Sequence, residues 1–287
     1  MGRPARRALA ALALVAAGTL VAATPRGSAA STTIEGPPIA ALFQYQLQTG
    51  ATGPGGVDVG LCAPGWPGCA RARVLDVDLY GPDGVTPNVR AVRAIHAAGG
   101  YAVCYVDAGT WESWRPDAHR FPTDLLGRPN GWPGERWLDV RRISQLVPIM
   151  AARVARCRAA GFDAVEFDNV DGYANATGFA ITAADQLRYD RLLAGLAHRD
   201  HLAAGLKNDD AQVASLEPAF DFAIDESCAA QRFCAALAPF VRAHKAVYDV
   251  EYSGSPARYC AIARAAGVSA VGKALALRAT PWRPCRP

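Results

Sequence analysis

The chain has little histidine, five residues in 287, scattered through helix-like stretches and loops, and its cysteines never fall in paired CxxC spacing. Together these absences exclude an ordinary zinc centre, which needs closely spaced imidazole and thiolate ligands. No GxSxG elbow occurs and no glycine-rich phosphate loop follows the first strand-like run, so neither nucleophilic serine chemistry nor a doubly wound nucleotide-binding sheet is expected. No EF-hand loop is present. A basic surplus is missing too. The formal net charge of +4 belongs to Arg3, Arg6, Arg7 and Arg26, which face no acid among the first thirty residues, and beyond them bases and acids balance. A nucleic-acid partner is therefore not expected.

Long apolar runs are absent except one, residues 8–23, which lies behind three arginines and ahead of Ser28, Ala29 and Ala30. That order reads as a signal peptide over residues 1–30, cleaved near Ala30. The run is too short to span a bilayer comfortably, and no cysteine at the cleavage point offers a lipid anchor. The expectation is a secreted protein, free of the membrane after cleavage, with residues 31–287 as one domain and a monomer. Eight cysteines in an exported chain read as disulfides. Short loops favour Cys62 with Cys69 and Cys228 with Cys234, which leaves Cys104, Cys157, Cys260 and Cys285 with their connectivity open.

What is present is alternation. Strand-like runs recur at 42–47, 73–80, 100–107, 136–140, 164–170, 203–209, 221–227 and 245–252, with amphipathic helical stretches between several of them. In LVPIMAARVARCRAAG, for example, Leu146, Ile149, Met150, Val154 and Cys157 share one helical face, and Gly161 stops it. Eight strands alternating with helices in one domain length predict an α/β fold of the (β/α)₈ TIM-barrel class, with its site at the C-terminal ends of the strands.

In AVEFDNV, side chains alternate faces, so Glu166 and Asp168 share one side and Val165 and Phe167 the other. The acidic side should look into the barrel, and the same rule pairs Asp76 with Asp78 and Asp249 with Glu251. Carboxylates buried without partners cost several kcal/mol or shift their pKa. Taken singly, Asp78 or Asp139 reads as a cap or a salt-bridge partner. The set is different, because Asp78, Asp107, Glu112, Asp139, Asp168, Asp171, Glu226 and Glu251 all fall at or just past strand ends and would gather at one rim. Aromatic residues accompany them: Trp111 and Trp114 flank Glu112, Trp132 and Trp137 follow, and Tyr45, Tyr173 and Tyr252 lie near other strand ends. Flat rings stack on sugar faces and attract ammonium groups. No metal or other cofactor is expected.

The segments YVDAGTWESWRPDAHRFP, WPGERWLDV, GFDAVEFDNVDGY, LKND, DESC and VYDVEYS, spread over residues 40–275, resemble glycoside hydrolase family 114. The resemblance implies a (β/α)₈ barrel that cleaves α-1,4-linked galactosamine-containing polysaccharide, retaining and endo-acting. It also implies catalytic carboxylates at Asp168, the nucleophile, and Glu226, the acid/base. Asn169, Asp171, Lys207 and Asn208 would orient the nucleophile or sugar hydroxyls. Asp107, Glu112, Asp139 and Glu251 would attract amines on the polymer. DESC departs from the expected Asn-Glu-x-Cys form by placing Asp225 beside Glu226. Two other readings stay open: a glycosidase for another amino-sugar or a neutral α-glycan, and an inactive glycan-binding barrel.

Overall fold

Eight short parallel strands close around an interior of aromatic and aliphatic side chains in the computed structural model, which describes residues 34–286 and Gly2. The expected signal peptide lies outside the described residues, apart from Gly2. The barrel strands are β1 (Phe43–Gln46), β2 (Val74–Asp78), β3 (Tyr101–Asp107), β4 (Ala164–Asp168), β5 (Ala203–Lys207), β6 (Phe222–Glu226), β7 (Ala246–Glu251) and β8 (Ser269–Gly272). Each pairs in parallel with the next, and Arg283–Pro284 adds a two-residue antiparallel strand to β8. At the β1/β8 seam side chains do the joining. Trp282 Nε1 donates to Phe43 O (2.8 Å), and Lys273 Nζ donates to Gln44 Oε1 (2.7 Å). The chain is a single-domain (β/α)₈-type barrel.

Two strand assignments differ from the sequence reading. RWLDV is not a barrel strand: Glu135–Leu138 joins Thr110–Glu112 and Leu126–Pro129 in a separate three-stranded antiparallel sheet, inserted between β3 and the helix Ile143–Ala160. The eighth barrel strand is Ser269–Gly272 instead, four residues whose small side chains carry little strand signal.

Inside the barrel, Phe43, Tyr45, Val74, Val103, Phe222, Ile224, Tyr248, Val250 and Val271 form one cluster, with the Phe43 and Tyr248 rings stacked 4.5 Å apart. Gly205 is required there, because a Cβ would lie 2.4 Å from the Phe222 ring. Outside, the helix Ile143–Ala160 buries Leu146, Ile149, Met150, Val154 and Cys157 against the sheet and ends at Gly161 in the left-handed region. Ala183–Arg199 starts from a reciprocal Thr182–Asp185 capping box.

The cysteines form four bridges. Cys62–Cys69 and Cys228–Cys234 are the expected local ones; Cys104–Cys157 ties β3 to the long helix and Cys260–Cys285 ties the last helix to the C-terminal segment. Among the described residues, no helix is long and apolar enough to cross a membrane.

The face of β7 is the other correction. Tyr248 and Val250 point inward, so Asp249 and Glu251 face outward, where their oxygens accept from the backbone N–H groups of Cys228, Ala229 and Ala230. Burial, and then the hydrogen bond and charge of Glu251, push Asp249 up to about 9, as expected when two carboxyl groups share a proton.

Candidate active site

Six consecutive strands end on an ionisable residue: Asp78 on β2, Asp107 on β3, Asp168 on β4, Lys207 on β5, Glu226 on β6 and, facing outward, Glu251 on β7. The parallel register brings these ends to one pole. Directly after β4, β5 and β6 the chain turns away through Asn169, Asn208 and Ser227, all in the left-handed region (φ 61°, 53° and 63°). Asparagine tolerates that region better than most residues, and strain of this kind gathers at functional sites.

The centre of the pole is Lys207. Its side chain is buried, and its Nζ donates to Asp168 Oδ1 (3.1 Å) and to Glu226 Oε2 (2.8 Å). Asp168 also accepts from Tyr105 OH (2.7 Å) and from the Asn169 N–H (2.8 Å). Burial alone would raise its pKa, but the Lys207 charge and these hydrogen bonds outweigh burial and hold it below the ordinary carboxylate range. Burial likewise disfavours the Lys207 ammonium, yet Asp168, Glu226 and Glu166 together keep it firmly charged. Glu226 accepts a second hydrogen bond from Tyr252 OH. One layer deeper, Glu166 accepts from Tyr45 OH (3.0 Å), and Asp76 is fully buried close by. Burial foremost pushes Glu166 up to about 8, and burial with the neighbouring Glu166 charge pushes Asp76 up as well.

Above this centre opens a cavity of about 720 Å³. Of the residues expected from sequence, Tyr45, Asp78, Glu112, Trp114, Asp168, Asn169, Lys207, Asn208, Glu226 and Tyr252 line it. Six do not. Asp107 is buried behind Asn169, accepting from Asn169 Nδ2 (2.9 Å), Thr110 N (2.8 Å) and Thr110 Oγ1 (2.5 Å). Trp111 turns its Nε1 to Ala118 O (3.1 Å) and packs on the outer core. Asp139 pairs with Arg141 (2.7 Å) in the turn before the long helix. Asp171 begins the turn after β4, mostly enclosed, with burial raising its pKa. Tyr173 OH donates to Asp209 Oδ1 (2.9 Å), linking the loops after β4 and β5. Glu251 lies on the outer face of β7. Asp225 also faces outward and accepts from the Glu226 N–H (2.7 Å), with burial raising it to about 7.

Sequence reasoning missed Leu47, Gln48, Tyr105, Arg115, Glu135 and residues 275–278 in the lining and named Trp132 only among the accompanying aromatics. Tyr105 shares a strand face with Asp107, a period-two signal that could have found it. Arg115 follows Glu112 by three residues and pairs with both Glu112 (2.5 Å) and Asp78 (2.8 Å). Residues 275–278 follow the barrel strand that carries little sequence signal. A second cavity, of about 460 Å³, opens at the opposite pole beside Leu42, Phe43 and Val268 and has no carboxylate in its lining.

A barrel whose mouth holds two carboxylates bridged by one lysine, with exposed tryptophans beside them, is the architecture of a glycoside hydrolase. The family model described as Glycoside-hydrolase family GH114 matches residues 23–286, and the chain belongs to that family. Among solved structures it is similar to Aspergillus fumigatus Ega3 in complex with galactosamine, at 29% identity and a TM-score of 0.71 over 84% of this chain and 94% of that one. It shares the fold of the glycoside hydrolase domain of PelA from Pseudomonas aeruginosa, at 14% identity and a TM-score of 0.57 over 86% and 98% of the two chains. No curated protein sequence gives a significant match.

Proposed function

We propose that this protein is a secreted, monomeric, endo-acting hydrolase of α-1,4-linked galactosamine-containing polysaccharide that retains anomeric configuration. The observation that carries this reading is the Lys207 bridge. Contacts of 3.1 and 2.8 Å to one nitrogen leave the facing Asp168 and Glu226 oxygens at most about 6 Å apart, which fits the roughly 5–5.5 Å of retaining enzymes better than the roughly 6.5–9.5 Å of inverting ones.

The surroundings assign the roles. Asp168, held ionised by three donors and with 14% side-chain exposure, is the nucleophile; Glu226, at 29%, exchanges protons with solvent more easily and is the acid/base. Asp168 Oδ bonds to the anomeric carbon as the glycosidic C–O bond breaks, and the Glu226 proton goes to the departing oxygen. Glu226 then takes a proton from water, whose oxygen displaces Asp168 from the sugar and restores both carboxyl groups. Lys207 positions the nucleophile.

A galactosamine polymer is supported by the Ega3 complex and by the lining, where five carboxylates outnumber three basic groups. Trp114 and Trp132, 51% and 55% exposed, offer stacking platforms beyond the reacting unit and favour internal cleavage. Four disulfides fit an oxidising compartment, as secretion requires. Among the described residues, Ile39 and Val85 are the two exposed large apolar residues outside the cavity, a small number that supports a monomer. The test is product analysis on defined α-1,4-galactosamine oligomers. Wild type should release internal fragments while Asp168→Asn and Glu226→Gln release none; turnover by Asp168→Asn would remove the mechanism.

A further inference from the structure

The charges lining the cavity are unevenly compensated. Asp78 and Glu112 share Arg115, and Asp168 and Glu226 share Lys207. Glu135 alone among these five carboxylates has no lysine, arginine or histidine within ion-pair distance among the described residues. Its Oε2 accepts from a neutral donor, Asn130 Nδ2 at 2.5 Å, while Thr110 Oγ1, which donates to Asp107, lies 3.4 Å away.

The placement is unfavourable in the free protein. In the small inserted sheet Glu112 and Glu135 are direct cross-strand partners, an arrangement that destabilises when the charges are alike. One oxygen from each of Asp107, Glu112 and Glu135 falls within 4.8 Å of the others. Burial first, then the charges of Glu112 and Asp168, push Glu135 up, while Asn130 and Thr110 hold it down. A bound cation would remove that conflict.

The same loop carries an aromatic wall. Asn130 Oδ1 accepts from the Trp132 N–H (3.0 Å), so one asparagine fixes both the tryptophan and the glutamate. Trp114 lies against Gly134, where a Cβ would come within 2.9 Å of its ring. Ring faces beside a carboxylate suit a sugar ring bearing an ammonium.

We propose that Glu135, which shares the cavity lining with Trp114 and Trp132, is the ammonium-reading subsite that makes this cleft select sugar units with free amines over N-acetylated ones. The proposal rests on the functional reading above and sharpens it to one residue. Asp107, Asp139 and Glu251 are turned into the protein, and Asp78 and Glu112 already share the Arg115 charge.

The test measures binding in the Asp168→Asn background, with and without Glu135→Gln, by titration calorimetry on a defined α-1,4-galactosamine oligomer and its N-acetylated counterpart. Glu135→Gln should weaken the amine oligomer about tenfold, as expected for one charge-assisted contact, and leave the acetylated one within about twofold. Its amine binding should also depend less on salt. Trp132→Ala should weaken both ligands. Equal effects on the two oligomers, or none, would overturn the proposal. So would stabilisation by calcium or magnesium alone that Glu135→Gln removes, since the residue would then serve a metal. Wild-type turnover is scored separately: if wild type cuts neither oligomer the hydrolase reading fails, while the binding comparison still decides the subsite.

Discussion

Replacing Lys207 by Met keeps the length of the side chain and removes its charge from the point where Asp168 and Glu226 meet. The nitrogen lost lies 3.1 and 2.8 Å from the two carboxylates and is buried. Removing one partner of a buried ionic cluster costs about 3–5 kcal/mol. In a domain of this size that is on the order of 10 °C in Tm at neutral pH. The sign follows from Asp168, whose pKa in the folded protein is lowered mainly by Lys207 acting against burial. Its stabilising contribution is present above the ordinary carboxylate range and is lost as pH falls through the folded value. The Tm deficit of Lys207→Met should therefore be large at pH 8, persist at pH 4 and shrink only near pH 2, below the ordinary carboxylate range. Loss of about 3 kcal/mol of nucleophile positioning corresponds to roughly a hundredfold fall in kcat. The acidic limb of kcat/KM should move to higher pH, because nothing then holds Asp168 ionised. Reducing-end release across pH, with thermal melts at the same pH values, reads all three. An unmoved acidic limb, or an equal Tm loss at pH 2 and pH 8, would refute the reasoning.

Three further outcomes are expected. Asp249→Asn places an amide where the folded protein keeps a protonated acid raised to about 9. An acid raised in the folded state contributes stability below its unfolded pKa and loses it as pH rises, so this variant should match wild type near pH 4, melt higher at pH 9, and keep its activity. Cys104 and Cys157 close a sequence separation of 53 residues, so replacing both with Ala should cost about 4 kcal/mol in denaturant unfolding, before any cavity cost. A loss under about 1 kcal/mol would argue against that account. Tyr105→Phe removes one of three donors to Asp168 and should lower kcat about tenfold with little change in KM, the mark of a positioning residue.

Much of the barrel was legible because its strands alternate strongly. Seven of the eight runs read from sequence are barrel strands, and RWLDV fails because a half-buried run looks the same in an inserted sheet as in a barrel. Ser269–Gly272 has no bulky β-branched stretch to announce it. At the mouth, the period-two rule puts Asp78, Asp168 and Glu226 on the inward face at the ends of β2, β4 and β6. It breaks at β7, where Tyr248 and Val250 take the interior and the carboxylates serve the backbone of the next helix. The Lys207 bridge and the uncompensated state of Glu135 depend on distances between segments far apart in the chain. No spacing rule reaches them.

The most direct measurement follows the anomeric proton by NMR in the first minutes of hydrolysis of an α-1,4-galactosamine oligomer. With Asp168 and Glu226 acting across one lysine, the α-anomer appears first and the β-anomer grows in only by mutarotation. A product that is β from the outset would place a water between the two carboxylates and contradict the account.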